Sequence, residues 1–202
     1  MVIGLTGGIA CGKSTVAGFI ERDLQIPVID ADNVSREIVA PGERCLQEII
    51  ERFGTDILAS DGTLERKKLG AFIMNDEQAR QDLMAITHPK IAERIMLKLM
   101  KLKNQGHSVA VVEAALMIEN NSHKRYDKVI VVSCSPPTQR ARLMKREGFT
   151  KEQADKWIDS QFPLTKKEQE ADWVLRNDHD LANLKNQLLS TWKSFIEKVK
   201  DA

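Results

Sequence analysis

Cysteine is scarce in this chain: three residues, Cys11, Cys45 and Cys134, stand far apart among 202. An odd, scattered set of this kind builds neither a disulfide framework nor a metal-ligand cluster, and it suits a reducing, cytoplasmic compartment. Charge of one sign is lacking as well. The formal net charge is +1, so no bulk electrostatic pull toward nucleic acid or a membrane surface is expected. The longest apolar run, Val109 to Ile118, contains Glu113 and falls well short of the roughly 20 residues a bilayer span needs. The N-terminus runs straight into a strand pattern, without a basic region followed by an apolar stretch, so no cleaved leader is expected. Internal repeats, low-complexity tracts and long Pro/Gly/Ser linkers are missing too. With 42% hydrophobic residues, the chain suits one compact domain carrying a small insertion.

What is present is concentrated near the start. Gly7-Gly8-Ile9-Ala10-Cys11-Gly12-Lys13-Ser14 fits G-x-x-x-x-G-K-[ST], the phosphate-binding P-loop. The flanks fit as well: Val2 to Thr6 reads as a short buried strand, and Ser14 to Ile20 as the first turns of a helix. Backbone N–H groups of such a loop, together with the helix N-terminus, form a partly positive nest for phosphate oxygens. Glycines let the chain wrap closely, because a Cβ would obstruct either the backbone angles or the phosphate. The motif assigns nucleoside triphosphate binding to Gly8, Ala10, Cys11, Gly12, Lys13, Ser14 and Thr15, with Lys13 reaching the β- and γ-phosphates and the Ser14 hydroxyl on Mg²⁺. It leaves the acceptor unnamed. Cys11 reads either as a reactive thiol or as a small filler whose backbone alone matters.

Further apolar runs, at 26–29, 109–112, 129–132 and more weakly 173–175, give five strands in all. Apolar strands alternating with helices imply a parallel sheet covered on both faces, an α/β three-layer fold of the P-loop NTPase type. Roughly 75 residues separate the second and third strands, far more than a crossover needs. On fold analogy the helical stretch 41–105 is an acceptor-binding insertion. Pro89 is expected to open a long helix with apolar positions Ile91, Ile95, Leu99 and Leu102, closed by Gly106. Thr150-x-x-Gln153 and Thr165-x-x-Glu168 both read as capping boxes. The last helix carries Leu181, Leu184, Leu188, Trp192, Phe195 and Val199, a stripe that reads as core packing.

Asp30 and Asp32 end the second strand, and in an open parallel sheet the carboxyl ends of strands border the ligand crevice. One is suited to accept a proton from an attacking hydroxyl. The competing role is a helix cap, assigned to Asp32. Arg142 and Arg146 share a helix face, with Arg140 and Lys145 nearby. They suit either an anion clamp in phosphoryl transfer or a solvated basic face, and spacing alone does not decide. Glu113 follows an apolar strand, where a carboxylate supports Mg²⁺ through water; Asp30 competes for that task. Arg36 lies one helical turn after Asp32. His88 precedes Pro89, a place for a cap or core residue as much as for a ligand contact.

Taken in order, these residues resemble the dephospho-CoA kinase family over nearly the whole chain. The resemblance rests on Ile3 through Thr15, on Val28-Ile29-Asp30-Ala31-Asp32 with Arg36, on Pro41-Gly42, on Asp61-Gly62-Thr63-Leu64 and on His88-Pro89-x-Ile91. It continues in Leu116-Met117-Ile118-Glu119, Gln139-x-x-Arg142-Leu143-x-x-Arg146, Gln161 and Ala171-Asp172-x-Val174-Leu175-x-Asn177. It implies transfer of the ATP γ-phosphoryl to the ribose 3′-hydroxyl of dephospho-CoA, with ATP and Mg²⁺ as cofactors. Carried over by position, Asp32 is the base, Arg142 and Arg146 act on the phosphates from a helical lid at about 138–170, beside the Lys13 that the P-loop motif already places there, and Asn177 lies in the loop near the adenine. Asp30, Asp32, Arg36 and His88 face the acceptor. The expected partner is that small molecule alone, without nucleic acid or membrane, for a cytoplasmic monomer or small homo-oligomer. The chain departs from the family's pattern at Cys11, where Ser or Gly is usual, at Ala115, where proline is usual, and at Arg176, where an acid is usual. A nucleoside monophosphate kinase shares the P-loop and lid but not the Asp30-Ala31-Asp32 and His88-Pro89 pieces. A GTP switch would need N-K-x-D, which does not occur.

Overall fold

The computed structural model describes residues 1–74 and 76–200, with side chains described through residue 194. The chain divides into two compact units, Met1–Val28 with Gly106–Ala202, and Ile29–Gln105. Five strands, β1 (Val2–Gly7), β2 (Val28–Asp30), β3 (Ala110–Glu113), β4 (Lys128–Ser133) and β5 (Trp173–Arg176), form one parallel sheet in the order β2-β3-β1-β4-β5. The five expected strands are all present, and the parallel α/β arrangement is the one their apolar runs imply.

In the first unit, alternation along β4 explains why its sequence reads as a continuous apolar run. Ile130 and Val132 join Ile3, Leu5, Val16, Phe19, Ile20, Val111, Leu184 and Leu188 in the main core. Val129 and Val131 face the other way, against Ile118, Phe162 and Ala171. A strand buried on both faces has no polar side to show. The main core is closed by α1 (Lys13–Asp23) and α9 (Leu181–Lys200), which Lys185 Nζ also ties together through Asp23 Oδ1 at 3.0 Å. Of the stripe expected on α9, Leu184 and Leu188 are fully buried and Trp192 packs at the core's edge. Leu181 departs from it, 60% exposed in the first helical turn. The side chains of Phe195 and Val199 lie outside the described ones.

Three helices follow β4: α6 (Pro136–Glu147), α7 (Lys151–Asp159) and α8 (Leu164–Gln169). Thr150 and Gln153 form the reciprocal capping box expected at the start of α7. The second expected box does not form. The last of the three helices begins at Leu164 with Pro163 at its N-cap, so Thr165 is already helical and cannot cap. Glu168 instead accepts from Ser133 Oγ at 2.5 Å and Arg176 Nη2 at 2.8 Å.

The second unit is helical: α2 (Ala31–Glu37), α3 (Arg44–Phe53), α4 (Arg66–Met74) and α5 (Glu77–Asn104). Pro89 does not open α5 but lies inside it; the opening cap is Asp76, whose Oδ1 accepts from Ala79 N at 2.9 Å. An interior proline removes one helical bond and costs about 3 kcal/mol. The carbonyl left open is that of Ala85, and neighbouring side chains bond other carbonyls of the helix: Thr87 Oγ1 donates to Leu83 O at 2.8 Å and Lys90 Nζ to Ile86 O at 3.4 Å. Ion pairs four residues apart then fix the helix along its length. Lys90 meets Glu48 at 2.5 Å, Arg94 meets Glu43 at 2.8 Å and Lys98 meets Glu37 at 2.9 Å. Gly106, with φ 91°, follows the helix in the left-handed conformation its position implies. No helix among the described residues is long and apolar enough to cross a membrane.

Candidate active site

The loop after β1 turns twice through left-handed backbone, at Ala10 (φ 60°) and Gly12 (φ 98°). Left-handed alanine costs about 1–2 kcal/mol, so the loop's shape is imposed by what surrounds it. Gly12 is required on two counts: its φ, and an approach so close that a Cβ would stand 2.3 Å from Asn177 Nδ2. Several loop groups are engaged internally. Cys11 N–H donates to Gly8 O at 3.2 Å and Thr15 N–H to Gly12 O at 3.1 Å. Ile9 N–H donates to Gln161 Oε1 at 2.9 Å, and Ile9 O accepts from Gln139 Nε2 at 3.0 Å. Cys11 O accepts from Asn177 Nδ2 at 2.8 Å. Among the described residues no hydrogen bond uses the N–H of Ala10, Gly12, Lys13 or Ser14. Those four remain for an anion, in the place where a helix N-terminus favours one.

The side chain of Lys13 forms an ion pair with Glu113 at the end of β3, both largely shielded from water. Glu113, a candidate Mg²⁺ support, is thus the partner that holds the P-loop lysine. The Ser14 hydroxyl is exposed on the first turn of α1. Among the described residues no group of three or more His, Cys, Asp or Glu is placed to hold a metal. Mg²⁺ beside phosphates usually takes only one or two protein oxygens, and the Ser14 hydroxyl is a hard oxygen donor of that kind.

The basic cluster on α6 separates by role. Arg140 is bound to Asp155 of α7, and Arg146 to its neighbour Glu147 at 2.7 Å. Arg142 is different: its Nη1 is buried and has no hydrogen-bond partner among the described residues. A guanidinium with a buried, open donor is suited to an anion. Its charge also reaches Cys134, whose thiol lies below the usual range because of its hydrogen bond with Cys11, aided by Arg142 and Arg176. Cys11 shifts upward, through the same contact and through burial. The two sulfurs are 3.3 Å apart and both thiols are buried. Cys11 is therefore not a solvent-facing reactive thiol.

In the second unit, Asp30 and Asp32 take different tasks. Asp30 is the N-cap of α2, its Oδ1 accepting from Asp32 N at 2.8 Å and Asn33 N at 3.2 Å. The capping role expected of Asp32 thus belongs to Asp30. Asp32 lies exposed in the first turn, and no hydrogen bond or ion pair among the described residues engages its carboxylate. Arg36 is exposed one turn further along α2. His88 is exposed in the interior of α5 rather than before its start. The Asp61-Gly62-Thr63 stretch is a tight turn, in which Asp61 Oδ1 accepts from Thr63 Oγ1 at 2.6 Å and from Thr63 N at 3.0 Å, and these two bonds, the hydroxyl's first, hold that carboxyl below its ordinary value.

Sequence reasoning gave no role to Lys167, which is fully buried on α8. Its Nζ meets Glu119 at 2.7 Å and Ala115 O at 3.0 Å. Nor did it see that the Asn177 side chain is turned to the P-loop backbone. No local pattern marks such residues; a lysine in a charged run such as Lys166-Lys167-Glu168 reads as solvated until its neighbours are known.

Comparison with known proteins points one way. The family profile "CoaE: Dephospho-CoA kinase" matches residues 1–183. A dephospho-CoA kinase of Bacillus thuringiensis subsp. konkukian is 42% identical over 195 residues, which is 96% of this chain and 97% of that protein. Among solved structures, TT1252 from Thermus thermophilus superposes with a TM-score of 0.81 at 26% identity, covering 96% of this chain and 97% of that one. Dephospho-CoA kinase from Campylobacter jejuni gives 0.72 at 27% identity, with 96% of each chain covered. The P-loop with its four open N–H groups, the carboxylates after β2 and these likenesses over almost the full length have one common account: the chain belongs to the dephospho-CoA kinase family.

Proposed function

We propose that the loop 7–14 and the Asp32 carboxylate carry the family's reaction here, transfer of the ATP γ-phosphoryl to the 3′-hydroxyl of dephospho-CoA. The observation that carries this reading is the contrast between the two aspartates. Asp30 is committed to its helix cap, whereas Asp32 is exposed and unengaged among the described residues, as a base that must take a proton from substrate needs to be.

The N–H groups of Ala10, Gly12, Lys13 and Ser14 receive the phosphates. Lys13 exchanges Glu113 for phosphate oxygens, so its shielded ammonium keeps an anionic partner throughout. The Ser14 hydroxyl would hold Mg²⁺, which supplies charge neutralisation on the phosphates when bound, and Glu113, once released, is available to a water of that ion. Arg142, and Arg146 after leaving Glu147, stabilise charge on the migrating group. Asp32 takes the hydroxyl proton. Arg36 and His88 belong to the acceptor side, in a helical insertion at about 41–105, and the region 138–170 acts as a lid that keeps water from the phosphoryl group. Asn177 belongs to the nucleotide side. The reading is of a cytoplasmic enzyme acting on small molecules, as a monomer or small homo-oligomer, with neither nucleic acid nor membrane as partner; its near-zero net charge supports this.

The test is an acceptor panel. ADP release from ATP and Mg²⁺ is followed with dephospho-CoA, AMP or CMP as acceptor. Turnover with dephospho-CoA alone is expected, and comparable turnover with a monophosphate would overturn the acceptor assignment.

A further inference from the structure

The P-loop backbone is held by side chains from outside the loop. Two loop carbonyls, Ile9 O and Cys11 O, are each held by an amide side chain, Gln139 Nε2 at 3.0 Å and Asn177 Nδ2 at 2.8 Å. Both amides are 4% exposed and come from different elements, α6 and the segment after β5. No cis peptide bond occurs among the described residues. In a planar trans peptide the C=O and the next N–H point in opposite directions. Fixing Ile9 O therefore fixes the N–H of Ala10, and fixing Cys11 O fixes that of Gly12. These are two of the four loop N–H groups without an internal partner.

The glycines support the same conclusion independently. A Cβ at Gly8 would stand 2.7 Å from Gln139 Nε2, and one at Gly12 would stand 2.3 Å from Asn177 Nδ2. Gly8 occupies a position the general P-loop pattern leaves open, so phosphate binding alone does not call for glycine there. The bare backbone at 8 and 12 is what admits the two amides. Asn177 is itself pinned, its N–H donating to Ser133 O at 2.8 Å, and its buried Oδ1 has no partner. The amide's one engaged atom is the donor on the loop.

We propose that Gln139 and Asn177 are positioning residues that aim the Ala10 and Gly12 N–H groups at the triphosphate, so that Asn177 acts on phosphate affinity and not on recognition of the adenine. This rests on the P-loop being the triphosphate site. Preorganised donors need no rearrangement when the anion arrives, and that is where such bonds gain most.

The test uses the full chain with Gln139→Met and Asn177→Leu, which keep bulk and remove the donor. Gln139→Glu and Asn177→Asp serve as a second pair, which keep shape and set an acceptor against the carbonyl. Binding of inorganic tripolyphosphate is measured by calorimetry, and KM is measured for ATP, GTP and dephospho-CoA. Tripolyphosphate dissociation constants and the KM for ATP should rise together by about tenfold, the scale of one weakened charged hydrogen bond. The ATP-to-GTP preference and the KM for dephospho-CoA should stay within about twofold, a pattern that general loss of structure does not produce. Tripolyphosphate binding unchanged in a folded variant overturns the proposal, as does a change confined to the ATP-to-GTP preference. If the first pair does not fold, the second pair decides by the same criterion. Wild-type protein that fails to bind tripolyphosphate would strike the P-loop reading itself.

Discussion

Asp30 and Asp32 carry the same functional group two positions apart, and their surroundings give them different work. Asp30 accepts two backbone N–H bonds at the start of α2. Asp30→Ala should therefore cost about 1 kcal/mol of stability, the usual worth of an N-cap, with kcat for dephospho-CoA phosphorylation falling less than about threefold; urea unfolding beside steady-state assays checks both. A kcat loss as large as that of an Asp32 variant would show that the cap reading is incomplete. The pair was legible in the sequence as a pair, but not its division of labour. Which carboxylate caps depends on where the helix begins, and a helix boundary is a fact of backbone geometry that one residue's shift reverses. Cys11 is a similar case. Its letter suggests reactivity, while its burial against Cys134 removes it. Native protein treated with iodoacetamide should remain unlabelled at Cys11, Cys45 and Cys134 for as long as it stays folded, and Cys11→Ser should retain activity. Rapid single labelling at Cys11, read by mass spectrometry, would contradict this.

At the scale of elements, the strands were the most readable part, because a strand buried on both faces has nowhere to put a polar residue. The helices were less so. Pro89 carries the strongest start signal in its region, yet α5 opens at the Asp76 cap and runs through it, with ion pairs from Lys90, Arg94 and Lys98 along the part that follows. Thr165 and Glu168 have capping-box spacing but sit inside α8, whose start is set by Pro163. In both places the helix opens at another residue, Asp76 or Pro163, that the motif spacing did not mark. The buried Lys167–Glu119 pair, invisible to any local pattern, ties α8 to the segment after β3. Glu119 Oε1 accepts from Phe162 N at 3.0 Å as well. Lys167→Met alone should destabilise by about 3–5 kcal/mol, because it leaves a shielded carboxylate unpaired, while Lys167→Met with Glu119→Leu should cost less than the single change. Urea midpoints of the two variants decide; a double variant less stable than the single one would show that the pair itself is net stabilising.

For the whole molecule, acid stability follows from carboxylates held below their ordinary values: Glu48 by its hydrogen bond from Lys90, Asp82 by Gln78 and then Arg52, and Asp178 by the Ser135 backbone N–H. A carboxyl whose folded value is depressed lends stability that is complete above its unfolded value, about 4, and is lost as pH falls through the lower folded value. Thermal midpoints should accordingly be flat near neutrality and fall below about pH 4, and Asp178→Asn should flatten part of that fall. An acid limb unchanged in Asp178→Asn would remove that residue from the account. The P-loop, the carboxylates after β2 and the arginines of α6 were all visible in the sequence as motifs, whereas the part that Gln139, Gln161 and Asn177 play in holding the loop became visible only through their bonds. The most direct measurement is dephospho-CoA-dependent ADP release by wild type and by Asp32→Asn with an unchanged melting temperature. A fall in kcat of about 10²–10⁴-fold, the worth of a general base, is the predicted result, and an Asp32→Asn variant that turns over within about threefold of wild type would contradict the account.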